Sequence, residues 1–191
     1  MNTNTQSKDV VTRMKMENNE GLLKAYPSYR IGWFLFLFLL IYCLFEFLYF
    51  QIPDSFLLDV IYHHGLVSPS AAIINYLQPD EMAIAARNVL SSHGASLEVV
   101  RGCDGAGTLF LLAAAIITFS ASLNYKIFGL LTGIILLVTI NLLRIIGLYF
   151  VMAYQGQWFT PIHTYFAPTF IIIIGCLFFA GWAQHATTKN T

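Results

Sequence analysis

Four long apolar stretches dominate this chain of 191 residues and limit what it can fold into. They cover residues 31–50, 106–123, 127–153 and 165–182. A helix that crosses the hydrocarbon core of a bilayer needs about 20 mainly apolar residues, and each stretch meets or approaches that length. The sequence therefore predicts an all-α integral membrane helical bundle, embedded in a lipid bilayer through four transmembrane helices.

The composition agrees with a membrane bundle and excludes several other classes of protein. Hydrophobic residues make up 57% of the chain and charged residues 10%, whereas a soluble domain carries roughly a quarter charged residues. Ten Lys and Arg residues balance ten Asp and Glu residues, which excludes a nucleic-acid partner held by a strongly basic surface. The three cysteines are too few and too scattered for a disulfide scaffold or a zinc ribbon.

The first apolar stretch is interpreted as a membrane anchor and not as a cleaved signal peptide. About thirty mainly polar residues precede it, its apolar core is longer than a signal peptide requires, and no small-residue cleavage site follows Phe50.

The distribution of cations predicts the orientation of the bundle. Four spans would place seven of the ten Lys and Arg residues on one side, and Lys and Arg accumulate on the cytoplasmic side of membranes. We therefore expect a plasma (cell inner) membrane protein with a disordered cytoplasmic tail at 1–29, a bundle at 30–184 and a second cytoplasmic tail at 185–191. The seven cations are Lys8, Arg13, Lys15, Lys24, Arg30, Lys126 and Lys189.

The segment 51–105 would then lie outside the membrane and form a small extracytoplasmic loop domain. Ser68 followed by Pro69 is typical of a helix start, because proline is tolerated in the first helical turn. The runs 83–90 and 95–101 flank a Ser-His-Gly turn and predict a β-hairpin that leads into the second span. A shorter outer loop is expected at 154–164.

Arg144 is the polar residue that most needs an explanation. A charged side chain at the centre of a membrane helix costs about 2.5–3.5 kcal/mol on insertion scales, so such residues usually face a partner or a cavity. Arg144 lies in the outer half of the predicted third span, and Asn141 shares its helical face. Either Arg144 extends to the outer interface, or it is a cation held inward at the outer end of the bundle; we favour the second interpretation.

Cys103 lies in a glycine-rich segment directly before the predicted second span. A helix N-terminus favours an anion and hence a reactive thiolate, and Asp104 is a candidate N-cap whose charge would oppose that thiolate. Cys43 and Cys176 lie within spans, where cysteine is commonly a small apolar filler. The local sequence leaves a reactive and a passive role for Cys103 equally open.

His163 precedes the fourth span from the outer side, where a histidine is more often a plain surface residue. The predicted topology, however, brings Cys103, Arg144 and His163 to the outer ends of three separate spans. A thiol, a fixed cation and an imidazole together suit cysteine-dependent acyl transfer. We expect no cofactor and no metal, because the pair His63–His64 lacks the spacing of a metal site.

These residues resemble the exosortase and archaeosortase family, most closely its exosortase H branch. The similarity rests on Val-Arg-Gly-Cys-Asp-Gly around Cys103, Asn-Leu-Leu-Arg-Ile around Arg144, and His163 before the last span, in the family's order and spacing. It covers residues 91–182, about half of the chain. One departure is Asp104, where the family commonly has Ser, Thr or Asn.

The resemblance implies a membrane-embedded cysteine transpeptidase or protease. Its partners would be exported proteins with a C-terminal sorting motif, a transmembrane helix and a basic tail. Cys103 would be the nucleophile that forms an acyl-thioester. The family assigns the proton donor to the position of Arg144, but a guanidinium is a poor acid at neutral pH. We therefore expect Arg144 to stabilise charge and His163 to carry the proton.

Two other functions fit the same residues. A non-enzymatic membrane assembly subunit would use Arg144 as a structural ion-pair partner of Glu46 or of an acidic residue on another chain. A small transporter or channel would use Arg144 as an anion site, although four spans without an inverted repeat suit a transporter poorly.

Overall fold

The computed structural model describes residues 28–188, with side chains for 31–186, and these residues are mostly helical. Residues 1–27, most of the first predicted tail, and residues 189–191, the last three of the second, lie outside the described range. Residues 185–188 of the second predicted tail belong to α5. The helices are α1 (Ser28–Phe50), α2 (Asp54–Leu77), α3 (Ala106–Thr118), α4 (Leu123–Tyr154) and α5 (Ala167–Thr188). The strands β1 (Ile84–Ala86), β2 (Val89–Ser91) and β3 (Ser96–Glu98) lie between α2 and α3.

Four helical stretches are long and apolar enough to cross a membrane, which is the predicted number. Three of them overlap predicted spans, but Asp54–Leu77 takes the place of the predicted second span, 106–123. The predicted second span forms only α3, which has 13 residues and a length of about 20 Å, less than the roughly 30 Å of the hydrocarbon core. The helix stops because Phe119 adopts an extended backbone. The four stretches are Ile31–Phe50, Asp54–Leu77, Leu123–Tyr154 and Gly156–Ala186.

The turn between α3 and α4 also differs from the prediction. Lys126 was expected in this turn, but α4 already begins at Leu123 and Lys126 lies in its first helical turn. The ammonium of Lys126 donates to the carbonyl of Ile117 at 2.7 Å. It thereby satisfies one of the carbonyl groups that a helix leaves unpaired at its C-terminus.

Helix α2 begins earlier than the Ser68-Pro69 signal indicated. It starts at Asp54, and its middle segment Leu57–Val67 has the wider π-type hydrogen bonding. The N–H of Ser68 bonds to the carbonyl of His63, five residues back. Proline lacks an N–H and crowds the preceding turn, and the wider turn lets Pro69 lie within a continuous helix.

The predicted outer loop 154–164 is helical as well. Short turns at Gly156–Trp158, Phe159–Pro161 and Ile162–Phe166 lead directly into α5. Only Gln155 separates α4 from this stretch.

The predicted hairpin is present and has a third strand. Strands β2 and β3 pair antiparallel, and β1 pairs antiparallel with β2. The run 83–90 was expected to be one strand, but it turns at Arg87, whose φ is 57°. The guanidinium of Arg87 donates to Asp59 at 2.7 Å, and its carbonyl lies 3.1 Å from Nδ1 of His63. Helix α2 therefore holds the turn that divides the run.

Buried side chains form two hydrophobic clusters that meet along α4. The first, here called the cap cluster, joins α2 and the strands to the C-terminal part of α4. The second, the bundle cluster, joins α3, α5 and the middle of α4 through Leu137. Helix α4 has 32 residues and is about 48 Å long, so it exceeds the hydrocarbon thickness and serves both clusters. The bundle cluster contains Leu112, Ile116, Leu137, Ile171, Trp182 and Ala186.

Glu81 joins the cap to the end of α4. Its carboxylate accepts hydrogen bonds from the hydroxyls of Tyr149 and Tyr154, both at 2.5 Å, and from Ser92 at 3.2 Å. The bonds donated by the two tyrosines hold the pKa of Glu81 below its ordinary value, because they stabilise the ionised carboxylate.

Two glycines of α4 allow its close packing in the bundle. A Cβ at Gly129 would lie 2.3 Å from Nε1 of Trp182, and one at Gly133 would lie 2.8 Å from Cδ2 of Leu112. The Gly-x-x-x-Gly spacing therefore serves helix packing, as its sequence predicts.

We expect Gly129→Ala to destabilise the protein by about 1–3 kcal/mol, because the methyl group would overlap the Trp182 ring. Gly147→Ala on the same helix is the matched control, since nothing lies within 4 Å of its Cβ. That control should gain up to about 1 kcal/mol from helix propensity. Thermal unfolding in detergent measures both variants, and equal midpoints would contradict the packing role of Gly129.

Candidate active site

The candidate nucleophile lies in the segment that joins β3 to α3. The N–H of Cys103 bonds to the carbonyl of Val100 at 3.0 Å and closes a turn. Gly102 and Gly105 have φ values of 87° and 82°, a left-handed region that favours glycine. The glycine-rich sequence therefore gives Cys103 a sharply turned backbone on both sides.

Cys103 and His163 are in direct contact. Sγ of Cys103 lies 3.3 Å from Nε2 of His163. The imidazole stacks on the Phe159 ring, with centroids 5.2 Å apart and an interplanar angle of 8°. Nδ1 of His163 is buried and has no hydrogen-bond partner among the described residues. Aromatic stacking, and not an acidic residue, thus orients the ring toward the thiol.

Arg144 reaches the same loop from α4. Its Nη1 donates to the carbonyl of Cys103 at 3.2 Å, while its buried Nε has no partner among residues 28–188. The two salt bridges of the described residues join Arg87 to Asp59 and Arg101 to Asp54, so neither involves Arg144. The structure thus brings together the three site residues predicted from the sequence.

Asn141 holds the next carbonyl of the loop. Its side chain is 2% exposed, and Nδ2 donates to the carbonyl of Asp104 at 2.8 Å. A Cβ at Gly105 would lie 2.9 Å from Cγ of Asn141. Asn141 and Arg144, on one face of α4, therefore bind the carbonyls of two consecutive loop residues.

The carboxylate of Asp104 is satisfied by three donors. One oxygen accepts from the hydroxyls of Tyr49 and Tyr62, the latter at 3.0 Å. The other accepts from the N–H of Ala106 at 3.3 Å. Asp104 was expected to be the N-cap of the second span, but the N-cap residue is Gly105. Asp104 still satisfies the first N–H of α3, and it also links the loop to α1 and α2.

Arg101 ties the same loop to the end of α1. Its guanidinium donates to the carbonyls of Tyr49 and Ile52 at 2.7 and 2.6 Å, and to Asp54 at 2.8 Å. The hydrogen bond to Asp54 is the main cause of a raised pKa for Arg101. No pattern in the sequence indicates this role of Arg101 or the hydrogen bonds from the tyrosines to Asp104. Tyrosine at the end of an apolar span is equally typical of a membrane interface.

Two cavities meet at Arg144. One of about 270 Å³ is lined by Glu46, Asp104 and the start of α3. The other, of about 460 Å³, is an apolar groove between α4 and the residues around Ile162 and Phe166. Glu46 accepts a hydrogen bond from Tyr42 at 3.0 Å and forms no salt bridge with Arg144. The two charges share a cavity without direct contact.

No group of three His, Cys, Asp or Glu side chains among residues 28–188 is arranged to hold a metal ion. His63 and His64 pack edge to face, with ring centroids 4.8 Å apart. As described above, His63 contacts the carbonyl of Arg87.

Comparison of the chain with protein-family models, with curated proteins and with solved structures gives no match. The resemblance to exosortases and archaeosortases therefore rests on the motif residues and their order alone.

We expect Gly105→Ala to disrupt the loop more than Gly102→Ala. Both variants would place alanine at a positive φ, which costs about 1–2 kcal/mol. Only the methyl group at Gly105 would also collide with Asn141, since nothing lies within 4 Å of a Cβ at Gly102. Unfolding midpoints and the accessibility of Cys103 to a thiol reagent measure the difference, and identical values would contradict the close packing of Gly105 on Asn141.

Proposed function

We propose that this chain is a membrane-embedded cysteine transpeptidase or protease of the exosortase and archaeosortase type. It would cleave the C-terminal sorting signal of exported proteins through an acyl-thioester at the outer face of the membrane. The observation that carries the proposal is the contact of 3.3 Å between Sγ of Cys103 and Nε2 of His163. A thiol within reach of an imidazole is the arrangement that activates a cysteine nucleophile.

The contact favours His163 as the proton carrier. Nε2 takes the proton of the Cys103 thiol, and the thiolate attacks the carbonyl carbon of the scissile peptide bond. When the carbon–nitrogen bond breaks, the imidazolium returns this proton to the leaving amine. The acyl group stays on sulfur until water or an amine acceptor releases it. Stacking on Phe159 holds the ring in position for both transfers.

The position of Arg144 favours charge stabilisation. Nη1 is bonded to the Cys103 carbonyl, and the guanidinium lines both cavities beside the loop. A fixed cation next to the nucleophile stabilises negative charge that develops on the attacked carbonyl oxygen.

The division into cap and bundle supports a specific topology. We propose that α1, α3, α4 and α5 cross the membrane, with both termini cytoplasmic, while α2 and the strands form an outer cap. Helix α2 packs on the strands in the cap cluster and bears the exposed residues Asp54 and Asp59. The short α3 would cross with the help of residues 119–122, which follow it. The substrate helix could then lie in the apolar groove beside Arg144.

We expect Cys103→Ala to abolish processing of an exported protein that carries a sorting motif, a transmembrane helix and a basic tail. Cys43→Ala and Cys176→Ala are matched controls, because both remove a free and exposed thiol elsewhere on the helices. Substrate size and retention of the tail are followed by blot in the source cell. If the tail is lost equally with and without Cys103, the assignment as a cysteine enzyme is wrong.

The alternative is a non-enzymatic assembly subunit in which Arg144, which forms no salt bridge among the described residues, pairs with an acidic residue of another chain. It predicts that Cys103→Ser is silent and that Arg144→Leu disrupts folding or assembly. The enzyme predicts normal insertion of both variants and loss of processing.

Arg144→Lys separates charge from geometry at this position. Lysine keeps the positive charge but loses the forked guanidinium, so we expect processing to slow by about 10²-fold or more while the protein still folds. The rate of acyl-thioester formation at Cys103 and the unfolding midpoint are measured together. An unchanged rate would contradict a role for the guanidinium in stabilising the transition state.

A further inference from the structure

The small sheet of the cap has two edges, and one of them is closed by a side chain. Asn75 of α2 accepts from the N–H of Ala83 at 2.7 Å and donates to its carbonyl at 2.9 Å. Ala83 directly precedes β1. One amide side chain thus supplies the two bonds that a neighbouring strand would make, and it blocks the edge at β1.

The second edge of the sheet is the side of β3 that faces away from β2. The pairing of β2 with β3 shows which main-chain N–H and C=O groups of β3 point to this edge. The N–H of Val99 bonds to the carbonyl of Asn88, and the N–H of Ser92 to that of Ala95, both at 2.8 Å. Hydrogen-bonded and non-hydrogen-bonded pairs alternate along antiparallel strands. The pair Leu90–Leu97 lies two residues from each of these pairs, so the main-chain groups of Leu97 are hydrogen-bonded to β2.

Ser96 and Glu98 occupy the alternate positions, so their N–H and C=O groups point away from β2. Both residues are exposed, whereas Leu97 between them is buried. Outside the sheet, no main-chain hydrogen bond among residues 28–188 involves Ser96 or Glu98. Among the described residues these outward main-chain groups of β3 have no hydrogen-bond partner, although α4 packs against β3. This edge is here called the open edge, in contrast to the closed edge at β1.

The open edge leads directly to the candidate nucleophile. Cys103 follows Glu98 by five residues, and β3 runs toward it. The turn closed by the N–H of Cys103 and the carbonyl of Val100 lies between the end of β3 and the thiol.

We propose that the open edge of β3 binds the extended segment of the substrate that ends at the scissile carbonyl, as a fourth strand parallel to β3. This inference rests on the proposed function. The orientation follows from the chemistry, because the acyl segment must have its C-terminal end at Cys103, as β3 does. Main-chain pairing of this kind supplies affinity for an extended peptide, and alternate side chains supply selectivity.

Proline variants test the main-chain groups directly. Ser96→Pro and Glu98→Pro each remove one N–H from the open edge without removing a bond to β2, and proline is tolerated at such edge positions. Ser96→Ala and Glu98→Ala are the matched controls, since they change the side chain and keep the N–H. We expect each proline variant to cleave the substrate at least tenfold more slowly than the alanine variant of the same residue.

The same assay with Cys103→Ala separates the two proposals. If Cys103→Ala abolishes cleavage while both proline variants cleave at the wild-type rate, strand addition is wrong and the cysteine mechanism stands. If Cys103→Ala has no effect, the proposed function fails, and strand addition fails with it.

A second measurement does not depend on folding of the proline variants. Synthetic peptides spanning the cleavage site, which mass spectrometry of the processed protein defines, are N-methylated at one position each and given to the wild-type enzyme. Every second residue of a parallel strand faces its neighbour, so cleavage should fall at alternate positions before the scissile bond. Equal cleavage of all the methylated peptides would overturn the proposal.

Discussion

Two side chains of α4 donate hydrogen bonds to the backbone of the loop that carries Cys103, and the rest of the site depends on these bonds. Asn141 binds the carbonyl of Asp104, and Arg144, one helical turn later, binds the carbonyl of Cys103. Polar groups in an apolar bundle are costly unless they are satisfied. The loop carbonyls satisfy one donor of each side chain, Nδ2 of Asn141 and Nη1 of Arg144. Through these two bonds α4 sets the position of the loop that carries the thiol.

The remaining attachments of the loop come from the cap side. Tyr49 and Tyr62 hold the Asp104 carboxylate, and Arg101 binds the carbonyls at the end of α1. A loop bonded to α1, α2 and α4 has little conformational freedom left to lose, and such preorganisation would favour the proposed catalysis. The charge of Asp104, which the sequence suggested would oppose a thiolate, is already satisfied by three donors.

The sequence predicts three of the four long apolar helical stretches and the hairpin, because these follow from local patterns. The fourth long helix is α2, in the segment predicted as an outer loop. The sequence also indicates that Cys103, Arg144 and His163 share one end of the bundle, since cation bias and span order require no knowledge of packing. It does not predict the hydrogen bonds from Tyr49 and Tyr62 to Asp104, which join residues 55 and 42 positions apart. The length of α3 also escapes prediction, because apolar composition continues beyond the residue where the helix ends. The early start of α2 escapes prediction because a π-type turn accommodates Pro69 within the helix.

The two edges of the sheet show how a small cap can serve the proposed chemistry. An open edge is normally a hazard for a protein, because it invites pairing with other chains. Here Asn75 closes the edge farther from Cys103 in the chain. The outward main-chain groups of β3, which continues into the nucleophile loop, have no hydrogen-bond partner among the described residues. A cap that needed only to cover the bundle would gain from closing both. An open edge that ends five residues before Cys103 would instead suit the proposed enzyme, whose substrate must be extended at the bond that is cut.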